Sequence, residues 1–324
     1  MTTETLYTQG VVILLKGPVE LAELKKSLTG FKILSQKEAS DSWTVMGPSL
    51  VLELARGSRG RIVVDLVDRP WPDTNSDPQV AAARDAGEFG PSTAEESLHR
   101  ACAFCPPTWP EGPNLARGHE AFLRVRVTYV KASGAPLQGV PEDYNVVTEC
   151  EQMLGVVEAL LEHPSALCYF NPAGELIASR EFLSTICDAF HKASQPAINA
   201  LANRRMTKVE ESDWTVIDLV GMGQLDLPDF EICFTESYDP NEMAGFLVQT
   251  ALSILKSGQS IKDGHTLSGP GGKLYQAKTV SDSQLRPSRE VLRFRPRDGS
   301  VSPPSLGFGD KPLGRRAWWE FWKL

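Results

Sequence analysis

An α+β fold is predicted by three features of the sequence. The stretch Ala121 to Val130 alternates Phe122, Arg124, Arg126 and Thr128 with Leu123, Val125, Val127 and Tyr129, the period-two signature of a strand with one buried face. Tyr144 to Glu162 places Val147, Cys150, Leu154, Val157 and Leu161 at spacings of three and four, the stripe of an amphipathic helix. Strand-like and helix-like runs are interspersed throughout, without the regular alternation that marks a parallel α/β sheet.

Each element follows from the same reading. Val11 to Leu15 is a strand, and Gly17-Pro18 opens a helix over Val19 to Leu28. Strands are expected at Phe31 to Leu34, Trp43 to Met46, Leu50 to Leu54 and Arg61 to Val67, followed by a Pro/Asp/Gly-rich loop from Arg69 to Pro91. A helix over Thr93 to Cys105 has Ser92 or Thr93 as its N-cap and stops at Pro106-Pro107. After the helix at Tyr144, which reads as a bridge, come a strand at Ala166 to Phe170 and a turn at Asn171 to Gly174. A helix at Arg180 to Lys192, strands at Trp214 to Val220 and Phe230 to Thr235, and a helix at Pro240 to Lys256 complete the series.

The two parts share a grammar. Asp41-Ser42-Trp43-Thr44-Val45 resembles Ser212-Asp213-Trp214-Thr215-Val216, and each follows a βα unit. The expectation is therefore an internal duplication of a β-α-β-β-β-α-β unit in mixed or antiparallel sheets. One half spans residues 1–140 and the other 141–280, and a Pro/Gly-rich linker with an aromatic tail spans 281–324, with a possible strand at Val291 to Phe294.

With 324 residues, 41% hydrophobic and 23% charged, the chain has ample material for genuine cores. No apolar stretch approaches the length of a membrane span, and Gly10 to Leu15 is too short for a signal-peptide core. Most of the six cysteines stand within hydrophobic runs, as Cys168, Cys187 and Cys233 do, so they are expected as buried thiols in a reducing, cytoplasmic setting. From Arg286 onward nine Lys or Arg face four Asp or Glu, so the net charge of −8 divides into +5 there and −13 before it. An acidic body disfavours nucleic acid as a partner.

Several runs carry a family resemblance: Val64 to Asp73 (VDLVDRPWPD), Glu88-Phe89-Gly90-Pro91, Ala166 to Glu175 (ALCYFNPAGE), Val220 to Leu225 (VGMGQL) and Asp263 to Gly272 (DGHTLSGPGG). Together they resemble a bacterial domain-of-unknown-function family over roughly residues 10 to 280. The resemblance implies a bacterial cytoplasmic protein and carries no catalytic assignment.

Candidate chemistry is sparse. Asp263, Gly264, His265, Gly269, Gly271, Gly272 and Lys273 make the best anion or ligand loop, because glycines bare backbone N–H groups and the lysine adds charge; the alternative is a turn between edge strands. His99, Cys102 and Cys105 have a spacing that could serve zinc if a fourth ligand arrived, and packing of one helical face explains it as well; no metal and no cofactor is expected. Gly221-Met222-Gly223 lacks the third glycine of a dinucleotide fingerprint and reads as a hairpin or bulge. Asp65, Asp68, Asp73, Asp218, Asp226 and Asp229 lie at or near strand ends, where two could converge for acid–base work. His191 and Cys187, at i and i+4, read as one helical face.

In the tail, Trp318, Trp319, Phe321 and Trp322 lie between Arg315, Arg316 and Lys323, an aromatic cluster suited to docking on a partner or on the protein's own body. The leading functional expectation is thus a non-enzymatic protein-interaction or adaptor module. The alternatives are an enzyme using strand-end carboxylates with the loop 263–273, and a toxin-neutralising or secretion-accessory protein.

Overall fold

Strand pairing sorts the extended segments into two sheets, one in each part of the chain. The computed structural model describes residues 7–39, 43, 46–55, 58–106, 108–129, 144–193 and 195–308. Contacts divide the chain into two units, Met1–Ala202 and Asn203–Leu324. Helices and strands are both abundant and not ordered as βαβ crossovers, so the fold is α+β.

The first unit contains β1 (Tyr7–Leu15), α1 (Leu21–Ser27), β2 (Ile33–Lys37), β3 (Ser49–Glu53), β4 (Gly60–Val67), α2 (Pro78–Asp85), α3 (Ser97–Ala103), α4 (Gly112–Arg117) and β5 (Ala121–Tyr129). It continues through α5 (Val146–Leu161), β6 (Ala166–Asn171), β7 (Leu176–Ala178), α6 (Arg180–Ala193) and α7 (Ile198–Leu201). Its seven strands run in the order β2-β3-β4-β5-β1-β6-β7, every neighbouring pair antiparallel.

Side-chain parity divides the two faces of this sheet. Val12, Leu14, Phe122, Cys168 and Phe170 share a core with Trp71, Val80 and Ala83, Leu98 and Ala101 of α3, and Ala116 of α4. Trp71 is its hub, with the rings of Phe89, Phe122 and Phe170 at 5.2, 5.4 and 5.3 Å in edge-on contact. The opposite face, with Val11, Ile13, Val125 and Val127, packs under α5, which contacts β1, β5 and β6. At the centre, Gly10 and Gly90 meet backbone to backbone; a Cβ on Gly10 would lie 2.5 Å from the Gly90 Cα.

The second unit contains β8 (Asn203–Lys208), β9 (Trp214–Val220), β10 (Asp229–Thr235), α8 (Pro240–Ser257), β11 (Thr266–Ser268), β12 (Leu274–Val280) and β13 (Val291–Pro296). Its six strands run β11-β12-β13-β10-β9-β8, with β10 and β13 parallel and the other pairs antiparallel. The Asp239 carboxylate caps α8 by accepting from the Asn241 N–H, and Gly258 ends the helix at φ +69°. On the α8 side of this sheet, Phe246 stacks against Tyr275 and Phe294 at 4.8 and 5.8 Å.

Several expectations need correction. The residues from 144 to 202 supply α5, β6 and β7 to the first unit, so the helix expected as a bridge packs inside that unit and the contact boundary lies at Ala202/Asn203, away from 140. The segment after 281 is more than a linker, because β13 sits between β12 and β10 in the sheet interior. The expected strand at Trp43 does not form at the described Trp43 and Met46, whereas Trp214 opens β9. Trp43 and Trp214 therefore stand in different local structures, and the strand orders of the two sheets do not repeat one another. Strand β5 is buried on both faces, its arginines included. Among the described residues, no helix is long and apolar enough to cross a membrane.

Candidate functional site

The polar residues that sequence reasoning offered for chemistry are mostly found inside the sheets, and their partners decide what they can do. In the second unit, strand register lines up Arg205 with Asp218, Asp218 with Glu231, and Glu231 with Arg293, a charged row crossing four strands on one face. Period-two geometry forces these side chains onto that common face, opposite the Phe230 and Phe294 rings. All four are at most 1% exposed.

Each charge in the row is matched. Arg205 grips both Asp218 oxygens, at 3.1 Å from Nε and 2.5 Å from the terminal nitrogen. Arg289 bridges Asp218, at 2.8 Å, and Asp229. Arg293 donates to Glu231 at 2.7 Å. The segment 282–289 closes over the row. Its carbonyls at Arg286 and Asp282 accept from Arg205 and Arg293 at 2.8 and 3.1 Å, and its Gln284 N–H donates to Glu231 at 3.0 Å. Asp229 also accepts from the N–H groups of Gly221 and Met222 at 3.0 and 2.9 Å, which fixes the turn that the Val220-Gly221-Met222 motif makes. Burial pushes the Asp229 and Glu231 carboxyls up, against the pull of Arg289 and Arg293.

The expected convergence of strand-end carboxylates thus occurs at Asp218 and Asp229, but with an arginine between them. A general acid or base must reach a substrate proton, and Asp218 is sealed with both oxygens engaged. The first unit repeats the chemistry on its own sheet. Asp65 is held by Arg124 and, at 3.1 Å, by Arg126, and both arginines donate to the Glu88 carbonyl at 3.0 and 2.8 Å. Asp73 accepts from the Leu98 and His99 N–H groups at 2.8 and 2.9 Å, so it anchors the start of α3 in place of the expected Ser92 or Thr93 cap. Asp68 is exposed, and Asp226 occupies a left-handed turn at φ +55°.

The loop 263–273 sits at the β11 edge of the second sheet. The Asp263 carboxylate accepts from the Thr279 N–H at 2.7 Å, and Gly264, Gly271 and Gly272 adopt φ of +82°, +66° and +68°. Gly269 closes on Lys273 through a backbone bond of 2.9 Å, and the His265 ring accepts from the Lys262 N–H at 3.2 Å. The Lys273 ammonium donates to the Tyr238 hydroxyl at 3.0 Å, and Tyr238 donates to Asp298 at 2.5 Å. Lys273 is therefore directed onto Tyr238. The aromatic residues Trp318, Trp319, Phe321 and Trp322 lie outside the described residues.

His99, Cys102 and Cys105 do not come together as ligands. The Cys102 and Cys105 thiols face the Pro113 and Trp109 carbonyls, and burial pushes Cys102 up to about 11 and Cys105 upward too, away from thiolate. Among the described residues, no group of three or more His, Cys, Asp or Glu could hold a metal ion. His119, which sequence reasoning passed over, is a buried structural base. Its Nε2 accepts from the Trp71 N–H at 2.7 Å while Nδ1 faces the Ala116 carbonyl at 2.5 Å, and burial holds its pKa below the ordinary value.

A different kind of surface lies between α5 and α6. Helix α6 buries only Leu183 and Cys187 among its described side chains; Phe182 is 47% exposed, and Ile186 and Phe190 are half-buried. Phe182, Ile186 and Phe190 recur at intervals of four, so they form one stripe along the helix. Beside it runs a slot lined by Val147, Leu154 and Glu158 of α5, Phe190 and His191 of α6, and Pro196. The Cys187 thiol is hydrogen-bonded to Glu158, and burial pushes Cys187 up to about 12 and Glu158 upward. The i, i+4 pair of Cys187 and His191 does share this wall, as the helical-face reading expects.

With this geometry established, comparison with known proteins adds one match. Residues 218–295 match the model of a family described as Domain of unknown function (DUF4261). The matched stretch runs from Asp218 to Arg295 and so contains Asp229, Glu231, Arg289 and Arg293, most of the charged row. No curated protein and no solved structure matches the chain.

Proposed function

We propose that this chain is a protein-interaction module that binds its partner on the α5–α6 face. The observation that carries this reading is the stripe of Phe182, Ile186 and Phe190, apolar side chains left open on a helix whose inner face is already packed. A partner helix or extended segment laid on such a ridge gains burial at roughly 25 cal/mol per Å2 of apolar area. The sealed, arginine-paired state of Asp65, Asp218, Asp229 and Glu231 supports it from the other side, since these carboxylates are spent on the fold. The aromatic residues at 318–322 serve as a second contact in this reading. All six cysteines are free thiols, which suits a reducing, cytoplasmic setting.

The test is comparative affinity capture from the native cell with the full-length chain. Phe182→Glu together with Ile186→Glu is expected to remove specific partners that wild type retains. Leu34→Glu, a charge placed on an exposed residue of β2, is expected to keep them. An identical partner set in all three would overturn the reading.

A further inference from the structure

The slot beside the α6 stripe has a chemical preference of its own. Its walls are apolar at Val147, Leu154, Phe190, Pro196 and Ala197, while Glu151 and Glu158 supply carboxylates. The slot is only partly enclosed, and its innermost space of about 10 Å3 is near the least that admits one water molecule. From these observations we infer that the α5–α6 slot is a recognition site for a primary ammonium on an apolar stem, the end of a lysine side chain of the partner. The inference rests on the interaction reading above and names the group that the partner would insert.

Three features favour this occupant. A –NH3+ group is close to water in size and carries three donors, a better match to so small a space than the wide planar fork of a guanidinium. Glu158 is half-buried between two helices, and its hydrogen-bond donor among the described residues is the Cys187 thiol, a weak donor that does not neutralise a carboxylate. An entering ammonium supplies the missing charge, and the apolar walls accommodate the methylene stem. Among the described residues, the remaining titratable groups around Glu158 are Asp188 and His191 on α6 and Cys150 and Glu151 on α5, of which only His191 can become positive.

The experiment titrates full-length protein with n-butylammonium, n-butylguanidinium and n-butanol, and follows amide resonances of residues 147–158 and 187–197 by NMR. The expected result is saturable shifts with n-butylammonium and at least tenfold weaker response to the other two probes. Glu158→Gln should abolish the response, Glu158→Asp should retain it in weakened form, and unchanged resonances elsewhere would establish that both variants fold. Equal response to all three probes, or binding unaffected in Glu158→Gln, would overturn the ammonium site. A partner captured through Phe182 and Ile186 yet indifferent to Glu158→Gln would overturn this inference while leaving the interaction reading intact. Loss of dependence on Phe182 and Ile186 would remove both.

Discussion

Individual residues in this chain show how burial dictates chemistry. His119 works as a neutral acceptor, because Nε2 takes the Trp71 N–H, and a proton on that nitrogen would break the bond. Its folded pKa lies below that of the unfolded chain. The unfolded state therefore takes up a proton first as pH falls, and the stability contributed by neutral His119 is present above about pH 6.5 and lost below it. Thermal unfolding between pH 7.5 and 5 should show this loss, and His119→Gln should lower the melting temperature at pH 7.5 while flattening that part of the profile. A second residue-scale prediction concerns Asp218, which neutralises Arg205 and Arg289. Asp218→Asn leaves buried positive charge unmatched and should cost about 3–5 kcal/mol in denaturant unfolding. Little or no change would mean that water or rearrangement already screens the pair.

At the scale of elements, close backbone contacts and helix starts carry the specificity. A methyl on Gly10 would meet the Gly90 backbone on the far side of an irreplaceable approach, so Gly10→Ala should destabilise the first unit by about 1–3 kcal/mol. An unfolding midpoint equal to wild type would contradict that packing. The strands β4, β5, β9 and β10 and the helices α5, α6 and α8 were legible in the sequence because periodicity reports directly on burial. Other elements were hidden for physical reasons. The helix α2 lies within a stretch of Asp, Pro and Gly, and its start depends on Asp77 accepting from the Gln79 N–H. The three-residue strand β7 is too short to show a period, and β8 reads as polar because Arg205 faces inward toward Asp218. The alternation in β5 identified a strand with one buried face but not that Arg124 and Arg126 are buried as well, since a pattern of residue types does not reveal the carboxylate waiting on the neighbouring strand. The candidate surface was half visible. The four-residue spacing of Phe182, Ile186 and Phe190 is in the sequence, but which side of α6 is covered depends on where α5 lies.

For the whole molecule, two α+β units each bury an arginine–carboxylate centre within a sheet, and the DUF4261 match falls on the second of them. Such centres give weak evidence for added stability, and they remove the best acid–base candidates from reach of substrate. The proposed function therefore lies at the surface, with the α5–α6 face as its main element. Hydrogen exchange on the full-length chain, alone and with the partner captured through Phe182 and Ile186, tests that assignment most directly. Added protection concentrated in residues 146–161 and 180–193 is the predicted result; protection absent there and concentrated on another surface would contradict it.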